Sequence, residues 1–482
     1  MLSFQPGIHT APLGINDLFF GLLLLIAILM YSQSIKRKKM EQGGNEHYRY
    51  YMLNIYFKLF FALAYGAIYM FYYQGGDTMA YWQGAEKLNN LMWHAPLDYW
   101  EEMMSQPIEE NIILRFTPET GYPPIWIYQD PGSFFVSKVF SIFMIFFGQS
   151  YVALSLVFGY ISAIASWKVF ELVKRYNITS DGYAAIAMLF IPSVAFWCSS
   201  VSKDAVVLIS VFMLLHHLFG IANKTAKSTT RSVFWIIVYC MILYSSRTFM
   251  LFTVLAPVFL ALNIRITKKY RKSILLINLI RFFIIGATFI SFLFFLRSQG
   301  EAFSKTTNQY LEEAALQQSD FANNETYGDK RYDLEITDYT PLGMLRKAPI
   351  AILTAIYRPG LWEARSALLF ISGLETAVFI YLTLLFFFKG NLAQKIQFIR
   401  FNEFLVFSFM FAIILAFFAG FTSGLFGVLV RFKAPLLPFF LILLTTNPKL
   451  SGAKMNDEDE LDENPQVEKP IIPLSLTSIE ST

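Results

Sequence analysis

The chain has 482 residues, 55% of them hydrophobic, 17% aromatic and only 15% charged, with a net charge of +4. That balance, with a mean hydropathy of +0.46, excludes a soluble globular protein and points to a polytopic membrane protein. The two cysteines, Cys198 and Cys240, lie in or at the ends of apolar runs, which excludes a disulfide framework and a cysteine metal site, while the small net charge in short loops speaks to membrane orientation rather than to nucleic acid.

At about 1.5 Å per residue, runs long enough to cross roughly 30 Å of hydrocarbon fall near 15–31, 51–73, 150–172, 183–199, 204–221, 232–246, 248–263, 274–296, 365–388, 403–421 and 424–446. They predict an all-α bundle of about 11 crossings. The first run is uncharged before and basic after, so it reads as a crossing rather than a cleavable signal peptide. The basic clusters Lys36-Arg37-Lys38-Lys39, Lys174-Arg175, Lys224 with Lys227 and Arg231, Arg265 to Lys272, and Lys389 to Arg400 separate these runs. One topology puts all of them in the cytoplasm, with the N-terminus outside and the C-terminus inside. Counting 133–148 as a further crossing would move Arg265 to Lys272 outside, so that stretch is expected to lie in the interface or to re-enter. Residues 1–446 then form a single transmembrane domain with two long outer loops, 74–149 and 297–344. The tail 447–482, with Asp457-Glu458-Asp459-Glu460, reads as disordered and cytoplasmic, and the pattern as a whole suits a bacterial plasma membrane.

Most ionisable residues in or beside the apolar runs sort to the outer side under this topology. Asp77, in Gln74-Gly75-Gly76-Asp77-Thr78-Met79-Ala80-Tyr81-Trp82, sits where an apolar run gives way to the first outer loop, and an ionisable group so placed is a site candidate. The plainer alternative is a solvated Asp after a Gly-Gly turn. Tyr81 and Asp130, the latter in Tyr128-Gln129-Asp130-Pro131-Gly132, are supporting candidates from the same loop. The loop's Trp82, Trp93, Trp100 and Trp126 suit an interfacial belt or a sugar-stacking surface. Lys203-Asp204 stands between two crossings just after Pro192, Arg247 in a tight outer turn, Arg358 and Glu363 in Arg358-Pro359-Gly360-Leu361-Trp362-Glu363, and Arg431 within about two turns of the outer end of the last crossing. Lys203, Arg247, Arg358 and Arg431 facing a carboxylate-bearing loop is a layout for a phosphate or pyrophosphate head group whose tail stays in lipid. Alternatively each arginine snorkels, or pairs with Asp204 or Glu363. Glu375 and Arg281, both inside apolar runs, have no assigned role. The chain lacks a Gly-rich phosphate loop, a His-Glu-x-x-His and a Gly-x-Ser-x-Gly.

With those residues in place, the layout of roughly residues 50–440 resembles the C-type membrane glycosyltransferases, which use a polyprenyl-linked sugar donor on the outer or lumenal side of a membrane. The resemblance implies that Asp77, at the position of the superfamily's first-loop acid, acts as catalytic base or metal-positioning group. Pro192 to Asp204 is similar to the Pro-x-x-x-Phe-x-Ser segment of the mannosyltransferase branches. The additional crossing at 15–31 and the lack of an Asp-x-Asp in the first loop depart from common patterns. The implied partners are a lipid-linked sugar donor, a glycan or lipid acceptor and membrane lipids. No metal ligands are assigned, and a divalent cation is the one cofactor the resemblance leaves room for. The expected reaction is transfer of a sugar from a lipid-phosphate donor to a cell-envelope acceptor, with Asp77 as base and Lys203, Arg247, Arg358 and Arg431 on the phosphate. The rival expectations are a polysaccharide polymerase or ligase acting on lipid-pyrophosphate glycans, and a transporter or flippase.

Overall fold

The computed structural model describes residues 13–43, 46–269, 332 and 341–450. The run 274–296 with Arg281, the end of the cluster Arg265 to Lys272, most of the loop 297–344 and the tail after 450 lie outside the described residues. Every regular element among the described residues is helical, and eight helices are long and apolar enough to cross a membrane. The chain is a multi-pass membrane protein.

Helix α1 (Ile15–Glu41) is followed by a 3-10 turn (Glu46–Tyr48) and α2 (Arg49–Ala67), which runs on through a π turn to Tyr72. The span 74–149 is not an open loop. It folds into α3 (Asp77–His94), α4 (Pro96–Met104), α5 (Glu109–Arg115), α6 (Ile125–Tyr128) and α7 (Pro131–Phe147). At 17 residues α7 is short for a crossing. It packs against α3 with Phe134, Val136 and Phe140 buried. A charged clasp ties this layer together. Glu102 is fully buried, and its carboxylate accepts from Arg115 Nη1 at 2.6 Å and from the Tyr128 hydroxyl at 2.9 Å. Lys138 Nζ donates to the backbone carbonyls of Glu102 and Ser105. Removing one partner of a buried ion pair leaves an uncompensated charge. Glu102→Ala is therefore expected to cost about 3 kcal/mol, seen as a lower thermal midpoint in detergent.

The bundle continues with α8 (Tyr151–Tyr176), α9 (Asp181–Leu189), α10 (Pro192–Trp197), α11 (Lys203–Ala222), α12 (Thr229–Ser246) and α13 (Thr248–Lys269). The apolar run 183–199 is broken into α9 and α10 because Pro192 brings no N–H and holds Ile191 extended. After the undescribed segment come α14 (Pro341–Tyr357), a 3-10 turn (Leu361–Glu363), α15 (Ala367–Phe388), α16 (Leu392–Phe401) and α17 (Glu403–Thr422). The last crossing is α18 (Phe426–Lys433), a 3-10 turn (Ala434–Leu436) and α19 (Leu437–Leu444). Side-chain caps set where several crossings begin: Ser150, Ser202, Ser366 and Asn402 each accept a first-turn N–H.

Helix α8 fixes the two ends of the molecule. At one end the hydroxyls of Tyr151 and Thr78 lie 2.8 Å apart, beside Asp77. At the other, the Tyr176 hydroxyl donates to Glu403 at 2.7 Å, and Arg265 donates to the same carboxylate oxygen at 2.8 Å. The C-termini of α1, α8 and α13, all basic, gather at that second end. Helix α14 packs on α17 so closely that a side chain at Gly420 would meet the Ala351 carbonyl at 2.0 Å. Only glycine fits there.

Candidate functional site

Helix α2 ends in Gln74-Gly75-Gly76, whose φ values of 52°, 149° and 106° reverse the chain. Glycine tolerates such angles without Cβ strain. Helix α3 then starts at Asp77, whose carboxylate in the first turn is favoured by the helix dipole.

Arg431, on α18, reaches this carboxylate and a second one together. Its Nη1 donates to Asp77 Oδ2 at 2.9 Å and its Nε to Asp204 Oδ2 at 3.1 Å, with the guanidinium 5.6 Å from the Trp197 ring centre. Arg247, the residue ending α12, places Nη1 2.8 Å from Asp204 Oδ1, an ion pair set off the hydrogen-bond axis. Its guanidinium lies 4.6 Å from the Phe432 ring centre. Asp204 is 1% exposed, Arg247 9%, Arg431 17% and Asp77 40%. The buried acid therefore orients two guanidinium groups, while the exposed acid is the member that solvent or a ligand can reach. Two separated turns and two helix starts converge here, because α3 and α11 begin, α12 ends and α18 enters at the same end of the bundle.

Lys203 precedes Asp204 but points to α7, with Nζ 3.3 Å from Asp130 Oδ2. Asp130 caps α7 through the Gly132 N–H at 3.1 Å. Burial alone would raise its carboxyl, but Lys203 and the donors of Ser133 and Gly132 outweigh that and hold it below the usual carboxylate range. Tyr81, one turn after Asp77, is buried. Burial, with the Asp77 charge second, pushes its hydroxyl well above the ordinary tyrosine range, so it stays a donor.

The remaining sequence candidates form a neighbouring group. Arg358 Nε donates to Glu363 Oε1 at 2.8 Å, Nη2 also bonds that oxygen, and Glu363 Oε2 accepts the Gly360 N–H at 2.7 Å. The guanidinium lies 5.1 Å from the Phe426 ring centre and 5.5 Å from that of Tyr332. The link between the two groups is Lys433, two residues beyond Arg431 and 2% exposed, whose Nζ donates to the Arg358 carbonyl at 2.7 Å. Glu375 lies nearby on α15 and accepts the Ser193 N–H of α10 at 2.7 Å, tying the break at Pro192 to α15. Sequence reasoning passed over Lys433, although an ionisable residue inside an apolar run is itself the signal. Lys433→Met keeps the length of the side chain and removes its donor. The expected cost is about 1–3 kcal/mol for the orphaned carbonyl, read as a lower thermal midpoint with Arg358 more accessible to guanidinium-modifying reagents.

The alternative pairing of the arginines with Asp204 and Glu363 is thus formed, and it coexists with convergence on Asp77. Asp77, Asp130 and Asp204 balance Lys203, Arg247 and Arg431. Asp77 is the most accessible carboxylate on Arg431, so an anion that takes the Nη1 position competes with it first. Among the described residues no three His, Cys, Asp or Glu side chains group to hold a metal. Asp77 and Asp204 are bridged by the Arg431 guanidinium. No family model, curated protein or solved structure matches this chain. The described residues, helical in every regular element and with eight helices long and apolar enough to cross, define its class, a multi-pass membrane protein.

Proposed function

We propose that this protein is a membrane glycosyltransferase that moves a sugar from a polyprenyl-phosphate donor to a cell-envelope glycan or lipid. The observation that carries the reading is the bridge from exposed Asp77 through Arg431 to buried Asp204, with Arg247 on the far side. In the reaction, the donor phosphate takes the Arg431 Nη1 position and releases Asp77. The freed carboxylate accepts the proton of the acceptor hydroxyl as that oxygen bonds to the sugar's anomeric carbon. The bond from that carbon to the phosphate oxygen breaks, and the leaving phosphate keeps the electron pair. Arg431 and Arg247, held by Asp204, meet the charge that grows on it. A phosphate leaves without protonation, so a single base suffices where hydrolysis of ordinary glycosides uses two carboxyl groups. Lys203, paired with Asp130, and Arg358, paired with Glu363, would meet a larger phosphate by exchanging those carboxylates for it.

The positive-inside pattern supports an outward-facing site, because the basic ends of α1, α8 and α13 lie at the other end of the bundle. Mass spectrometry of cell-envelope glycolipids from cells with and without the protein tests the proposal. One glycan should lose a sugar residue when the protein is removed, and identical profiles would contradict it.

A further inference from the structure

We infer that the end of the bundle opposite the Asp77–Arg431 cluster holds a binding site for the phosphate of an anionic membrane lipid, built from Lys39, Lys174 and Arg175. A cavity of about 410 Å³ opens there, and its walls include Lys39, His47, Tyr48, Glu171, Lys174 and Arg175. It lies between the C-terminus of α1, the 3-10 turn before α2 and the C-terminus of α8. Helix α8 (Tyr151–Tyr176) separates it from Tyr151 and the Asp77 end by roughly 30–36 Å.

The charges around the cavity do not cancel. Glu171 is engaged by Lys168 at 3.2 Å and by the Tyr48 hydroxyl at 3.4 Å, and Lys174 is paired with Asp181. Lys39 and Arg175 have no carboxylate partner among the described residues, so the cavity has cations to spare and no free acid. Lysine and arginine in the last turn of a helix are accounted for by the helix dipole alone. The dipole does not account for two helices bringing such ends to one cavity, walled on its remaining side by His47, stacked 5.9 Å from Trp167.

A lipid fits better than a soluble phosphate because of what lies beside the cavity. Helix α1 is little buried, and Tyr31, about two turns before Lys39 and roughly a quarter turn around the helix from it, is 62% exposed. Acyl chains can follow that apolar face while the phosphate sits among the basic ends at head-group depth, the arrangement by which basic pockets between crossings select anionic lipids. The inference does not depend on the proposed transferase chemistry.

The test is native mass spectrometry of the full-length protein in mild detergent with equal phosphatidylglycerol and phosphatidylcholine. The unaltered protein should prefer phosphatidylglycerol by roughly tenfold or more, given about 1 kcal/mol per basic residue. Lys39→Gln/Lys174→Gln/Arg175→Gln should abolish the preference. Lys39→Gln/Arg175→Gln leaves the Lys174–Asp181 pair in place and should lower the preference severalfold, so the test survives if the triple variant fails to fold. An undiminished preference in the double variant would overturn the site. Displacement of the lipid by glycerol phosphate at equal concentration would overturn the assignment to a lipid in favour of a free phosphate.

Discussion

Asp77→Asn is expected to slow sugar transfer by about a hundred- to ten-thousand-fold, the range a positioned general base contributes, while leaving donor binding as tight as before or tighter. The split follows from the geometry. Asp77 and a donor phosphate compete for Arg431 Nη1, which lies 2.9 Å from Asp77 Oδ2. Asparagine keeps the shape but gives up the charge, so it competes less for the arginine and cannot take the acceptor's proton. Arg431 retains its bond to Asp204 at 3.1 Å, and the thermal midpoint should therefore move little. Steady-state kinetics with a lipid-phosphate sugar, paired with a direct donor-binding measurement, checks both halves. Activity within about twofold of the unaltered enzyme would remove Asp77 from the chemistry, since even the low end of base catalysis exceeds that.

The largest effect on stability is expected at Asp204. It is 1% exposed and is the shared partner of Arg247 and Arg431. Asp204→Ala leaves two largely buried guanidinium groups short of an anion, and breaking a buried pair from one side costs about 3–5 kcal/mol. Removing one of those cations as well should return part of the loss. Arg247→Met in the Asp204→Ala background is expected to be more stable than Asp204→Ala alone, a non-additivity that a double-mutant cycle on unfolding in detergent would measure. Additive losses would mean that Arg247 and Asp204 are not coupled.

Much of this arrangement was legible in the sequence, for reasons that differ by residue. Composition and run length sufficed for the membrane class, because an apolar run of about 20 residues satisfies its own backbone in hydrocarbon as a helix. Asp77, Asp204, Arg247 and Arg431 could be picked out one by one because each is costly where it stands. That Arg431 joins Asp77 to Asp204 could not be read, since the pairing spans 354 positions of chain and depends on how α18 packs. The span 74–149 looked like loop because its helices are short and broken by Pro96, Pro124 and Pro131. None of its helices carries an apolar run of membrane length, and α7 at 17 residues falls short of one. The run 183–199 reads as one crossing despite Pro192, so neither its break into α9 and α10 nor the anchoring of that break by Glu375 was legible.

Reconstituted protein given a radiolabelled polyprenyl-phosphate sugar and an acceptor glycolipid offers the most direct test of the central claim. The expected result is a new glycosidic bond in the acceptor, formed on the side of the vesicle where the Asp77–Arg431 cluster opens, with release of polyprenyl phosphate. Movement of the intact donor across the bilayer with no new bond would contradict it and make the cluster part of a transport path.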